Sequence, residues 1–131
     1  MKKELEQAVE ASDINAVLEQ IGLGARLDSP NRHGQTALMI AAQHGDTELV
    51  RLLIEHAVDL NVTAKYGLSA LMLAVVHNHA EVVQQLCDAG AALTITGTGA
   101  PGFSGLTALD LAERAGRSQI SAIIRSASGR H

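Results

Sequence analysis

Aromatic residues are nearly absent from this 131-residue chain, which has one Phe, one Tyr and no Trp. A fold with a single central core usually fills it with large rings. The apolar fraction is nevertheless 47%, an ordinary value for a packed protein. Ala, Leu, Val and Ile must therefore supply the packing, which suits thin layers stacked side by side.

Several other features are missing. Cys87 is the only cysteine, so no disulfide forms within the chain. No apolar run approaches the roughly 20 residues of a membrane span. Residues 1–6 carry charges where a secretory signal has an apolar stretch, so we expect a cytoplasmic protein with no membrane partner.

The formal charge of −4 is unevenly distributed. Residues 1–94 carry six Lys/Arg and twelve Asp/Glu, whereas residues 95–131 carry four Arg and two acids. Neither part has the dense basic stripe that a phosphate backbone requires. Nucleic acid is therefore not an expected partner.

An internal repeat is visible in three segments, GQTALMIA from Gly34, GLSALMLA from Gly67 and GLTALDLA from Gly105. The first two start 33 residues apart and the next two 38 apart, and a weaker copy precedes them. Such a period is the mark of a repeat architecture. We predict units at about 1–30, 31–63, 64–96 and 97–125, with an insertion at 95–104 and a flexible tail at 126–131.

Each unit is predicted to hold two short helices. Thr36, Ser69 and Thr107 precede Ala-Leu helical starts, where a hydroxyl can accept an early backbone N–H. Asp46 can cap the second helix of its unit in the same way. The stretches at about 57–67 and 90–105 contain Gly, Asp, Asn and β-branched residues and predict turns or hairpins.

The period of 33 with Gly-x-Thr-x-Leu-x-x-Ala-Ala, followed by Gly-x-x-Glu-Leu-Val-x-Leu-Leu, resembles the ankyrin repeat. The resemblance covers roughly residues 4–125. It implies an all-α repeat solenoid, with four stacked helix-turn-helix repeats joined by β-turn or hairpin fingers. The Pro and His of the family tetrapeptide are missing, and Met39 and Met72 cannot form the cross-repeat hydrogen bond of that His. We expect a monomer.

A glycine-rich motif, Gly97-Thr98-Gly99-Ala100-Pro101-Gly102, has the spacing of a dinucleotide-binding loop. A helix should open within such a loop, but here the next helix is predicted at about Thr107. An acidic residue is expected about 20 positions further on, and Ala122 stands there. We therefore interpret the motif as part of the insertion and predict no cofactor.

Catalytic and metal sites are also not expected. His44 and His77 are one repeat apart and His79 is close by, but no Cys or carboxylate cluster accompanies them at zinc spacing. Cys87 replaces Ile54 of the preceding unit, an inward position, so we expect it to be buried. No nucleophile, base and orienting group occur together, and we predict that the chain is not an enzyme.

The two rings point to a binding surface. Tyr66 and Phe103 lie near finger tips of adjacent repeats, and the framework needs neither. Aromatics are enriched in binding hot spots, so we predict that both contact a partner protein. The resemblance implies a surface made of the fingers and the first helices, with these contact residues: Arg32, His33, Gln35, Gln43, His44, Lys65, Tyr66, Leu68, Val76, His77, Phe103, Ser104, Leu106 and Arg114.

This surface is apolar at the middle and basic or neutral around it, which suits a partner with a modest acidic or apolar patch. The resemblance therefore favours a protein-binding adaptor or scaffold. A dedicated inhibitor or immunity-type protein that occludes one enzyme is the alternative. The acidic first part of the chain could steer such an inhibitor to a basic enzyme, with an association rate that falls with salt.

Overall fold

Eight α-helices follow one another in a computed structural model that describes residues 1–130, with the side chain of Arg130 outside the description. They form an all-α repeat solenoid, as the resemblance implied. The helices are α1 (Lys3–Glu10), α2 (Ile14–Gly22), α3 (Ala37–His44), α4 (Thr47–Glu55), α5 (Ala70–Val76), α6 (Ala80–Asp88), α7 (Ala108–Arg114) and α8 (Ser118–Arg130).

The predicted helix starts are confirmed. The side-chain oxygens of Thr36 and Ser69 accept the backbone N–H groups three residues later. The Thr107 hydroxyl likewise accepts the Asp110 N–H, and the Thr107 backbone N–H donates to the Asp110 carboxylate, which completes a capping box. Asp46 caps α4 through the Leu49 N–H at 3.1 Å. These contacts satisfy donors that a helix start leaves open.

The helices pair as α1 with α2, α3 with α4, α5 with α6 and α7 with α8, and each pair packs on the next. The first helices α1, α3, α5 and α7 contact one another in order, and so do α4, α6 and α8. Alanines such as Ala41, Ala74 and Ala112 are fully buried between the first helices. Because these side chains are small, neighbouring layers approach closely without large rings. Cys87 is buried as predicted.

Hydrogen bonds cross from one helix pair to the next without the family histidine. His79 precedes α6, and its Nε2 lies 2.9 Å from the carbonyl oxygen of Gln43 at the end of α3. Arg117 occupies the corresponding position before α8 and donates to the carbonyls of Val75 and Val76 at the end of α5. Each contact satisfies carbonyls that the end of a helix leaves open. Side chains outside the signature tetrapeptide therefore tie neighbouring pairs together.

Three fingers connect the helix pairs. They span residues 31–35, 64–68 and 97–106, and a backbone hydrogen bond of 2.8–3.0 Å joins the first residue of each to the last. The first and second fingers each contain five residues and the third contains ten, so the five inserted residues lie within the third finger. No strand forms within residues 1–130. The second finger contains a short 3₁₀ turn, Lys65–Gly67, and the third has an isolated bridge between Gly97 and Ser104.

The flexible tail predicted at 126–131 is wrong for residues 126–130, which continue α8. Ala127 is completely buried against the rest of the solenoid. This burial stabilises a helical turn whose own sequence, rich in Ser and Gly, has little helix propensity. His131 lies outside the described residues.

Candidate functional site

The rings of Tyr66 and Phe103 meet at the tips of the second and third fingers. Their centroids are 5.6 Å apart with an angle of 29° between the planes, which is a stacked arrangement. Tyr66 is 38% exposed and Phe103 is partly buried. We call this pair the aromatic platform. Phe103 packs against the edge of the core, and Tyr66 lies outside the core.

The third finger folds over the second and holds the aromatic platform in place. The Thr98 N–H donates to the Tyr66 carbonyl at 2.7 Å, which joins the two fingers through their backbones. Gly99 lies against the Tyr66 ring, where an added Cβ would be 3.6 Å from the ring edge. The glycine-rich motif at residues 97–102 therefore packs on an aromatic ring.

Close approach requires glycine at position 97. Its N–H donates to the Leu106 carbonyl at 2.9 Å, and its own carbonyl accepts the Gly105 N–H at 3.0 Å. A Cβ at this position would lie 2.8 Å from the Phe103 Cβ and closer still to the Phe103 carbonyl oxygen. No side chain fits there without moving the backbone that carries Phe103.

The backbone of Tyr66 is strained. Its φ is +64°, in the left-handed region that few residues other than glycine adopt. A bulky residue held in this region is a local cost that surrounding contacts must offset, and such sites cluster where binding occurs. The Lys65 ammonium lies 5.0 Å from the centre of the Tyr66 ring, within cation–π range.

A cleft of about 200 Å³ opens beside the aromatic platform, between the first two fingers and α3 and α5. We call it the finger cleft. Apolar atoms form most of its wall, and the side chains of Lys65 and His33 line part of it. Its lining residues are His33, Gln35, Gln43, Ala64, Lys65, Tyr66, Leu68 and Leu73.

The structure places most of the predicted contact residues at the surface. Exposed residues are Arg32, His33, His44, Lys65, Tyr66, His77, Ser104 and Arg114. Half-buried residues are Gln35, Gln43, Val76, Phe103 and Leu106. The finger cleft brings His33, Gln35, Gln43, Lys65 and Tyr66 together with Leu68. Whether these residues bind a partner stays a prediction.

The exposed position expected for Leu68 is wrong, because its side chain is only 6% exposed and belongs to the continuous core. Its carbonyl accepts the Ala64 N–H at 3.0 Å, and this closes the second finger and turns the side chain inward. Leu68 therefore forms the floor of the finger cleft and not a projecting contact.

Sequence reasoning missed three residues of this region. Leu73 and Ala64 line the finger cleft, and Thr98 holds Tyr66 through its backbone. Leu73 corresponds to Ile40 one repeat earlier, so the repeat register predicts core and gives no sign of a cleft wall. The position of Thr98 depends on how the insertion folds, which no local motif announces.

Two acidic groups outside the finger cleft, Glu10 and Asp110, have partners within the chain. His44 Nε2 lies 3.6 Å from the Glu10 carboxylate, and both side chains are exposed. Hydrogen bonds from the Thr107 backbone and hydroxyl, with a smaller effect of Arg114, hold the pKa of Asp110 below its ordinary value. Among residues 1–130, no group of three or more His, Cys, Asp and Glu is arranged to hold a metal ion.

The family model for ankyrin repeats, in three copies, matches residues 5–97. The chain belongs to the ankyrin-repeat family. Ankyrin repeats are generally modules for protein–protein interaction and are typically not catalytic. No curated protein sequence matches the chain, and no helix within residues 1–130 is long and apolar enough to cross a membrane.

Proposed function

We propose that this ankyrin-repeat protein is a non-catalytic adaptor or scaffold that binds another protein through the aromatic platform and the finger cleft. The stacked pair of Tyr66 and Phe103 is the observation that carries the proposal. These are the only Tyr and Phe of the chain; neither belongs to the buried core, although Phe103 packs against its edge. A cytoplasmic location, a monomeric state and four repeats stay predictions.

Rigidity supports the same conclusion. Contacts that hold an aromatic side chain before binding reduce the entropy lost when a partner docks. Tyr66 has such contacts on one side with Phe103 and on its backbone with Thr98. The strain at its φ of +64° is offset by this packing. A surface organised in this way suits recognition of a partner more than ordinary turn packing.

The test compares two double variants of the full chain in binding to proteins captured from the native cell. In Tyr66→Ala/Phe103→Ala the aromatic platform is removed. In Leu18→Ala/Leu23→Ala, the matched control, exposed apolar side chains (43% and 68%) are removed at the other end of the solenoid. Captured proteins are identified by mass spectrometry, and their affinities are then measured with purified components.

We expect the aromatic double variant to bind its partner at least about tenfold more weakly, equivalent to about 1.4 kcal/mol. Its helical circular dichroism should stay close to that of the wild type, because neither ring belongs to the buried core. The control should bind like the wild type. Unchanged affinity in the aromatic double variant, with helicity intact, would refute the proposal.

Inhibition of one cognate enzyme is the second candidate, favoured by the acid excess of residues 1–94. An acidic surface accelerates association with a basic enzyme, and salt screens this attraction. An association rate that falls steeply with salt, together with loss of the partner's activity, would support an inhibitor. An insensitive rate and an active partner would support an adaptor.

A further inference from the structure

Basic side chains recur at one place on successive fingers. Arg32 and Lys65 are 33 residues apart and therefore occupy equivalent positions on the first and second fingers. His33 follows Arg32, whose Nε donates to the His33 Nε2 at 3.3 Å. Arg32, His33 and Lys65 are all exposed. The charged groups of Arg32 and Lys65 form a basic edge along the finger tips.

Negative charge is absent from the wall of the finger cleft, whose eight lining residues include no Asp or Glu. Nearby acids have partners elsewhere, since Glu6 accepts from Asn31 at 2.9 Å and Glu10 faces His44. Within residues 1–130, no carboxylate lies within ion-pair distance of Arg32 or Lys65. Because residues 1–94 carry twice as many acids as Lys and Arg, this local excess of positive charge runs against the average of the molecule.

The size of the finger cleft limits what can enter it. Sites for small molecules usually enclose about 300–1,000 Å³, whereas this cleft encloses about 200 Å³. Leu68, Leu73 and Ala64 make its inner wall apolar. A single apolar side chain of a longer chain therefore fits better than a free ligand.

We propose that the finger cleft binds an extended acidic segment of the partner, with carboxylates on Arg32 and Lys65 and one apolar side chain in the cleft beside Tyr66. This inference rests on the proposed protein-binding function. Neighbouring helix layers are about 8–10 Å apart, and an extended chain rises about 3.3 Å per residue. Alternate side chains of an extended chain share one face, so the two acidic residues are expected four positions apart with the apolar residue midway, a span of about 13 Å that the long Arg32 and Lys65 side chains can reach.

The experiment selects binders from a library of random peptides displayed on phage, with three forms of the full chain as bait. These are the wild type, Lys65→Glu, and the control Arg51→Glu, which reverses an exposed positive charge on α4, away from the fingers. Wild-type and control selections should yield peptides with paired Asp or Glu around an apolar residue. The Lys65→Glu selection should replace one of these acids with Lys or Arg.

Affinities of the selected peptides are then measured by fluorescence anisotropy at low and physiological salt. We expect Lys65→Glu to weaken the wild-type peptides by at least about tenfold at low salt, and less when salt screens the charges. Circular dichroism confirms that each variant is folded. Equal binding of these peptides to Lys65→Glu, or selections without acidic residues, would overturn the acidic-segment proposal.

Failure of this inference is distinguishable from failure of the proposed function. Selected peptides without acids that still lose affinity for Tyr66→Ala/Phe103→Ala would leave protein binding at the fingers intact and remove the charge preference. Peptides that bind that double variant and Lys65→Glu as well as the wild type, or a selection that yields no peptide, would count against both.

Discussion

Replacement of Gly97 by Ala tests how the third finger holds the aromatic platform. The added Cβ would lie 2.8 Å from the Cβ and 2.9 Å from the carbonyl carbon of Phe103, well inside van der Waals contact. Two of the atoms it meets belong to the backbone, so rotation of a side chain cannot relieve the clash. Overpacking of this kind costs about 1–3 kcal/mol.

The contacts that the third finger would lose on moving away from the second give a separate estimate of the destabilisation. Opening of the third finger and its separation from the second would break the hydrogen bond from Gly97 to Leu106, which closes the finger, and the one from Thr98 to Tyr66, which joins the two fingers, each contributing about 1 kcal/mol. It would also separate the stacked rings, which contribute about 0.5–1.5 kcal/mol. The sum of about 3 kcal/mol is an upper bound, because the chain will adopt the less costly distortion.

The assay uses the protein's own fluorophore. Tyr66 is the only tyrosine and the chain has no tryptophan, so intrinsic emission reports directly on the aromatic platform. Urea unfolding followed by emission should show Gly97→Ala destabilised by about 1–3 kcal/mol, with altered emission before unfolding begins. Far-UV circular dichroism of the folded state should change little, because no helix contains Gly97.

Gly102→Ala is the matched control in the same finger. A Cβ there meets no atom within 4 Å, and Gly102 does not have a positive φ. Its stability should stay within about 0.5 kcal/mol of the wild type. If Gly97→Ala and Gly102→Ala show the same stability and the same emission, the packing described for the third finger is wrong.

Four further substitutions probe other parts of the solenoid. Gly45→Ala and Gly116→Ala place the same residue at equivalent helix ends with φ of +73° and +70°, but only the first meets a side chain, the ring of His79 at 2.5 Å. Gly45→Ala should therefore be less stable than Gly116→Ala by about 1 kcal/mol, because the His79 ring must give up its hydrogen bond to α3. Equal stabilities of the two variants in urea would contradict this. The pKa of Asp110 is lowered in the folded protein. Its carboxylate therefore stabilises the fold above the ordinary Asp pKa of about 3.9, and this contribution disappears as pH falls through the lowered value. Asp110→Asn should reduce the fall in stability at acid pH, and an unchanged dependence on pH would refute the capping-box argument. Ala57 has a φ of +56°, and Ala57→Gly removes about 1–2 kcal/mol of backbone strain. Because glycine also makes the unfolded chain more flexible, the net stabilisation should be about 0.5 kcal/mol. A lower melting temperature of the variant would contradict this prediction.

Local chemistry made the helix starts predictable. A hydroxyl or carboxylate before an apolar run needs only the three residues that follow it to act as a cap, so Thr36, Ser69, Thr107 and Asp46 could be assigned from their neighbours in sequence. The repeat period in turn fixes which helices stack. Helix caps depend on neighbouring residues and the stacking order depends on the repeat, so neither prediction requires knowledge of a particular tertiary contact.

Predictions that depended on one tertiary contact were less reliable. Leu68 corresponds to Gln35 in the preceding repeat and to Leu106 in the following one. Both of those residues are half-buried, so the repeat register could not show that Leu68 is buried. The helix through residues 126–130 depends on the burial of Ala127, which is invisible in a run of small residues. The sequence placed Tyr66 and Phe103 on adjacent fingers, but their stacking depends on the fold of a glycine-rich insertion with no repeat equivalent.

In the proposed complex, the partner docks on the fingers and the first helices. Hydrogen–deuterium exchange of the full chain, free and bound to its purified partner, tests this docking most directly. We expect protection on binding at residues 64–68 and 97–106 and along α3 and α5, with little change in α4, α6 and α8. Protection confined to α4, α6 and α8, with the fingers exchanging as in the free protein, would contradict the proposal.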